Sequence, residues 1–212
     1  MDDRPRVVLV HGLWYGRPSL WPLARRLRRQ GFTVDCFGYS TVRRSPAASA
    51  VRLADWARAL QADTLHFVGH SLGGLLILRM LADFGATLPP GRVVVLGSPL
   101  DGSAVARRMA ALPGLRHALG RSSELLDPGL QRLPEQREVG AIAGTATLGL
   151  GRLLAHLDSP HDGTVSVAET RIDGLADHLE LPVSHTGLVL SKSVADAVAR
   201  FLRDGQFRST GI

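Results

Sequence analysis

The order of hydrophobic patterns along the chain predicts an α/β fold, a mostly parallel central sheet of about six strands with helices on both faces. Short β-branched runs, such as Arg6-Val-Val-Leu-Val10 and Arg92-Val-Val-Val-Leu-Gly97, read as strands buried on both sides. Longer stretches with apolar residues at helical spacing alternate with them, which is the signature of parallel strands joined by crossover helices. The 212 residues suit one domain, and a 45% hydrophobic content supplies a sizeable interior.

Element by element, residues 6–10 form the first strand. Residues 18–30 then place Leu20, Leu23, Ala24 and Leu27 on one helical face and arginines on the other, and Gly31 ends the helix. Alternation over 32–37 predicts a second strand. A helix follows over 45–60, with Pro46 in its first turn and a stripe of Val51, Leu53, Ala54, Ala57 and Leu60. Residues 64–68 make a third strand, 72–84 a long apolar helix with few charges, and 92–97 a fourth strand. Periodicity is lost over 101–138, which contains Pro113, Pro128 and Pro134; this reads as a partly helical excursion above the sheet, a candidate cap or lid within one domain of residues 1–212. Residues 139–145 and about 177–183 supply the last strands, and 191–201 a closing helix. There are no internal repeats.

Composition narrows the function. The formal charge is +6, and 24 of the 25 basic residues are arginine. The doublets Arg25-Arg26, Arg28-Arg29, Arg43-Arg44 and Arg107-Arg108 are scattered, so most read as solvated helix faces. No aromatic interleaving points to nucleic acid, whereas attraction of the positive charge to anionic lipid leaves peripheral membrane contact open. No run of about 18 apolar residues predicts a transmembrane segment. The opening residues leave no room for a signal peptide, so the expected location is cytoplasmic. The single Cys36 excludes an internal disulfide.

One motif carries chemistry. Gly69-His-Ser-Leu-Gly-Gly74 follows a predicted strand and opens a predicted helix, the context that G-x-S-x-G requires. Such a turn strains the backbone of Ser71, so the positions two before and two after it must be tiny, hence Gly69 and Gly73. The turn lifts the hydroxyl above the sheet, and the Leu72 amide, at a helix N-terminus, favours a developing negative charge.

A serine nucleophile needs a base. Of the eight histidines, His66 lies in a strand, His70 in the turn and aimed away from Ser71, and His11 reads as loop wall. His117 and His156 lack a turn beside them, and His161 and His178 are weaker candidates. His185 follows the last predicted strand and therefore faces the sheet edge that Ser71 faces, which makes it the base by elimination and placement. The carboxylate that steadies its imidazole is expected to be Asp162, in the turn His161-Asp-Gly163. Asp158, Asp173, Asp177 and Asp101 are rivals. A second oxyanion donor is expected from the loop His11-Gly-Leu-Trp-Tyr-Gly16, with the Leu13 amide beside Gly12, and Trp14 and Tyr15 as walls of the substrate site.

With these residues in place, the chain resembles the bacterial lipase and esterase branch of the α/β-hydrolase superfamily. The resemblance rests on His11-Gly12, the elbow 69–74, the turn Leu96-Gly-Ser-Pro-Leu-Asp-Gly-Ser103, Asp162-Gly163 and Ser184-His-Thr-Gly187, in that order. It implies an α/β-hydrolase fold and hydrolysis of a small-molecule or lipid ester through an acyl-serine, with no metal and no organic cofactor. Acyl transfer, or thioester or lactone cleavage, would use the same residues, and a non-catalytic binding module on the same fold is the remaining reading.

Overall fold

The computed structural model describes residues 4–147 and 157–208. Six strands, β1 (Arg6–Val10), β2 (Thr33–Phe37), β3 (Leu65–His70), β4 (Val93–Leu96), β5 (Val139–Gly144) and β6 (Asp177–Leu181), form one sheet in the order β2-β1-β3-β4-β5-β6. Every pairing is parallel; Val10 lies opposite Gly69, His70 opposite Leu96, and Gly144 opposite Leu181. All strand carboxyl ends therefore share one edge. The α/β-hydrolase fold expected from the sequence is the fold observed.

The two-residue period of the strands divides the core. Val7, Leu9, Val68, Val94 and Ile142 face one side, against α1 (Trp21–Arg29), α7 (Gly187–Leu190) and α8 (Lys192–Asp204). Val8, Val10, Phe67, Val93 and Val95 face the other, against α2 (Pro46–Arg58) and α3 (Leu72–Phe84). On α1, Leu23 and Leu27 are wholly buried, each contributing about 1.5–3 kcal/mol of apolar burial. Ser45 caps α2, accepting the Ala48 amide at 3.2 Å, with Pro46 in the first turn. α8 stops at Gly205, whose left-handed φ of 78° lets its amide reach the Phe201 carbonyl.

Two local expectations are corrected. Val51 was assigned to the buried stripe of α2 but is 45% exposed; Leu53, Ala54 and Ala57 are buried as expected, and Ala50 takes the place of Val51 on that face. α8 extends to Asp204, beyond the expected end at residue 201. Over 101–138 the chain forms three short helices, α4 (Ala104–Ala111), α5 (Leu115–Leu119) and α6 (Ser123–Leu126). Leu119, Leu125 and Leu126 sink into the core beside α3, so the segment packs over that side of the sheet edge. Helices this short give no sustained periodicity, which is why the sequence pattern faded there.

Candidate active site

The elbow is built from close backbone approach. Ser71 ends β3 and caps α3 with φ 53° and ψ −124°, a conformation that costs an L-residue on the order of 1–3 kcal/mol. A Cβ on Gly69 would stand 2.4 Å from the Gly74 backbone, and one on Gly73 would stand 2.3 Å from the Val10 carbonyl oxygen. One on Gly74 would meet the Ser98 hydroxyl at 2.1 Å. Each glycine is required by a neighbour, and the strain at Ser71 is held by the Ser71 amide donating to the Leu96 carbonyl at 2.8 Å and Ser98 Oγ donating to the Ser71 carbonyl at 2.8 Å.

Because Ser71 is bonded to the end of β4, the next residue of that strand, Gly97, lies beside it. A Cβ on Gly97 would stand 3.0 Å from Asp162 Oδ2 and 3.1 Å from His185 Nδ1, so both side chains rest on this bare position. Those two atoms are 2.6 Å apart, with Asp162 only 1% exposed and His185 buried. The carboxylate accepts, so Nδ1 carries the proton and Nε2 presents its lone pair. Asp162 Oδ1 accepts the amides of Thr164 and Val165 at 2.9 and 2.8 Å, and its carbonyl accepts the His185 amide at 3.0 Å. These bonds fix the carboxylate and the imidazole as one unit. Among the described residues the Ser71 hydroxyl makes no hydrogen bond.

None of the rival carboxylates touches His185. Asp101, Asp158 and Asp173 are exposed, and Asp177 accepts the amides of His178 and Phe207. Among the rejected histidines, His117 is exposed, the His161 ring accepts the Gly163 amide, and His178 bonds Thr170. His156 lies outside the described residues.

The loop expected to carry an oxyanion donor is a tight turn in which the Tyr15 amide donates to the Gly12 carbonyl at 3.2 Å and Trp14 adopts a left-handed φ of 59°. A Cβ on Gly12 would stand 3.0 Å from Ser71 Cβ, so the turn abuts the nucleophile. The amides of Leu13 and Leu72 are donated to no acceptor among the described residues. Trp14 donates its indole N–H to Ala118 on α5 at 2.9 Å, and the Tyr15 hydroxyl meets Thr186 Oγ1 at 2.7 Å, next to His185.

Two histidines dismissed at the sequence level belong to the framework. His70 is buried; its Nε2–H donates to the His185 carbonyl at 3.0 Å and its ring lies 4.7 Å from the His185 ring. Burial, then the neighbouring His185, pushes its pKa down to about 3, so it stays neutral beside His185. His11 is held neutral by burial as well; Tyr39 donates its amide to Nε2, so Nδ1–H donates to the Gly12 carbonyl at 3.0 Å and orients the oxyanion turn. Only spatial contact assigns these roles, and no spacing in the sequence signals them.

A match to the alpha/beta hydrolase family spans residues 7–205. The chain belongs to that family. Among solved structures, Bacillus licheniformis lipase BlEst2 in mature form superposes with a TM-score of 0.74 at 18% identity, covering 88% of this chain and 87% of the lipase. A metagenomic carboxyl esterase, MGS0156, gives 0.68 at 22% identity over 97% of this chain and 77% of its own. The type II thioesterase BorB of a borrelidin biosynthetic cluster gives 0.66 at 16% identity over 94% and 92%. At these identities the likeness is one of fold. A search of the curated proteins found no match. Among the described residues no group of three or more His, Cys, Asp or Glu could hold a metal ion, and no helix is long and apolar enough to cross a membrane.

Proposed function

We propose that this member of the family is a serine hydrolase that cleaves carboxylic esters of fairly apolar acids, as one catalytic domain whose segment 101–138 serves as a cap. The observation that carries the reading is the buried His185–Asp162 pair at 2.6 Å, lodged against Gly97 at the shoulder of the strained Ser71. A carboxylate fixed by two amides and bonded to Nδ1 leaves Nε2 as the basic nitrogen for the Ser71 proton.

The steps follow from that polarity. His185 Nε2 takes the Ser71 proton as the oxygen attacks the ester carbonyl. Charge that develops on the carbonyl oxygen is met by the amides of Leu13 and Leu72, donors already oriented and without other acceptors. The imidazolium, stabilised by Asp162, passes its proton to the departing alcohol and leaves an acyl-serine. Water, deprotonated by the same imidazole, then releases the acid. The apolar acyl preference is supported by the narrow cavity next to Leu72, where Leu76, Leu125 and Pro46 supply apolar lining beside the polar Thr41, Arg44 and Ser122. Trp14, whose amide meets Thr41 of that lining, and Tyr15, tied to Thr186 beside His185, serve as walls of the entrance.

Covalent trapping tests the proposal: a fluorophosphonate should label the wild-type chain and leave Ser71→Ala unlabelled. An unlabelled wild type refutes it. Thioesters and lactones offered beside esters of equal acyl length decide which leaving group the site prefers.

A further inference from the structure

The exposed large apolar side chains are not spread evenly. Of the four among the described residues, Trp14 (60% exposed), Trp21 (63%) and Leu190 (48%) all belong to elements at the sheet's carboxyl edge. Trp14 lies in the oxyanion turn, Trp21 opens α1 directly after it, and Leu190 ends α7, five residues past His185. α1 and α7 pack together, and the Tyr15–Thr186 hydrogen bond ties the turn to the loop that carries His185. On the other side of the mouth, Trp14 bonds Thr41 and Ala118, and the Arg121 amide bonds the Val42 carbonyl. These contacts join the turn, residues 39–44 and α5 into one rim.

That rim is basic in a way the scattered doublets concealed. Residues 11–21, 39–44 and 115–119, which build it, contain no Asp or Glu and four arginines, Arg17, Arg43, Arg44 and Arg116. Arg17, Arg25, Arg43, Arg44 and Arg116 are exposed and make no ion pair among the described residues. Two indole rings and a leucine amid unpaired arginines form the composition of a surface that sits at a lipid headgroup boundary: the rings enter the interface, and the guanidinium groups meet anionic headgroups. A soluble acidic partner would explain the charge and leave the exposed tryptophans unexplained.

We propose that this rim docks the chain on an anionic lipid surface, with the mouth of the site facing the bilayer. The proposal depends on the position of the site and not on its chemistry, and it is tested without turnover. Vesicles of ether-linked phosphatidylcholine with 30 mol% ether-linked phosphatidylglycerol carry no carboxylic ester. The wild-type chain should bind them about tenfold or more tightly than pure phosphatidylcholine vesicles at 0.1 M salt, and lose most of that binding at 0.5 M. Tryptophan emission should shift to the blue on binding, since Trp56 packs against Phe37 and leaves Trp14 and Trp21 to report. Trp21→Ser with Leu190→Ser should weaken binding roughly tenfold, and Arg43→Gln with Arg116→Gln about as much, while both variants keep their hydrolysis of a short water-soluble ester. Absence of binding to either vesicle overturns the proposal. So does unchanged binding in the Trp21/Leu190 variant, which would assign the arginines to a soluble polyanion or an acidic protein.

Discussion

Replacing Gly97 by alanine is the substitution whose consequences the geometry defines most closely. The added methyl would stand 2.6 Å from Leu188 Cδ1, 3.0 Å from Asp162 Oδ2 and 3.1 Å from His185 Nδ1. Leu188 can turn aside, but the carboxylate and imidazole are held by the amides of Thr164, Val165 and His185, so they must shift as a pair. The backbone at Gly97 also has φ +55°, which costs an L-residue roughly 1–2 kcal/mol. At about 2–4 °C per kcal/mol for a chain of this size, the melting temperature should fall by roughly 2–8 °C. Displacing the base by a few tenths of an ångström up to 1 Å should lower kcat/KM by about 10–100-fold. Gly31→Ala supplies the control, because Gly31 also has a positive φ, +91°, but nothing lies within 4 Å of the added methyl. Thermal melts and initial rates on p-nitrophenyl butyrate would be measured for both. The account expects a similar loss of stability in each and a loss of rate in Gly97→Ala alone. Equal rates in the two variants would refute the idea that the His185–Asp162 pair does the chemistry.

Two further perturbations follow. His70→Phe leaves the buried His185 carbonyl without its donor, which should cost about 1–3 kcal/mol and lower kcat more than it changes KM; His70→Gln, which keeps an N–H donor, should recover part of the rate, and a kcat for His70→Phe equal to wild type would remove His70 from the positioning framework. His66 is buried, and desolvation pushes its pKa down to about 4, so the unfolded chain takes up this proton more readily than the folded one. Stability should therefore be whole above pH 6.5 and decline as the pH falls toward 4, by about 3 kcal/mol from this residue. Denaturant melts across that range should show the decline, and a smaller one in His66→Gln; identical slopes would contradict the assignment.

Elements with a long, unbroken period were legible before any coordinates. The helix over 72–84 was read with both ends correct, because its apolar run starts at the elbow and closes at Phe84-Gly85. The parallel sheet was legible in the alternation of strands and helices, although its order, with β1 between β2 and β3, depends on crossovers that local patterns do not encode. Val51 was misread because an Ala-rich helix offers adjacent small and apolar residues at the edge of its stripe, and Ala50 rather than Val51 completes the face of Leu53, Ala54 and Ala57. At the candidate site, Ser71 was identified by its flanking glycines and His185 by the strand before it. Asp162 was preferred to four rivals for its turn with Gly163, and the structure sets its carboxylate 2.6 Å from His185 Nδ1. His70, His11, Tyr39 and Ser98 act through single hydrogen bonds to backbone carbonyls or ring nitrogens across the fold, and such bonds leave no periodic trace. The charge rim was hidden for a related reason: Arg17, Arg43 and Arg116 come from three separate parts of the chain, which only the contacts of the oxyanion turn with residues 39–44 and α5 bring to one edge.

The claim on which everything rests is that the hydroxyl at the elbow is made nucleophilic by an imidazole contributed from the far end of the chain. Peptide mapping by mass spectrometry after fluorophosphonate treatment addresses it directly, with the rate of adduct formation followed in the wild type and in His185→Ala. The account predicts one adduct per chain, on the peptide containing Ser71, forming at least about a hundredfold more slowly without the imidazole. An adduct on another residue, or one that forms on Ser71 at the same rate in both proteins, would contradict it.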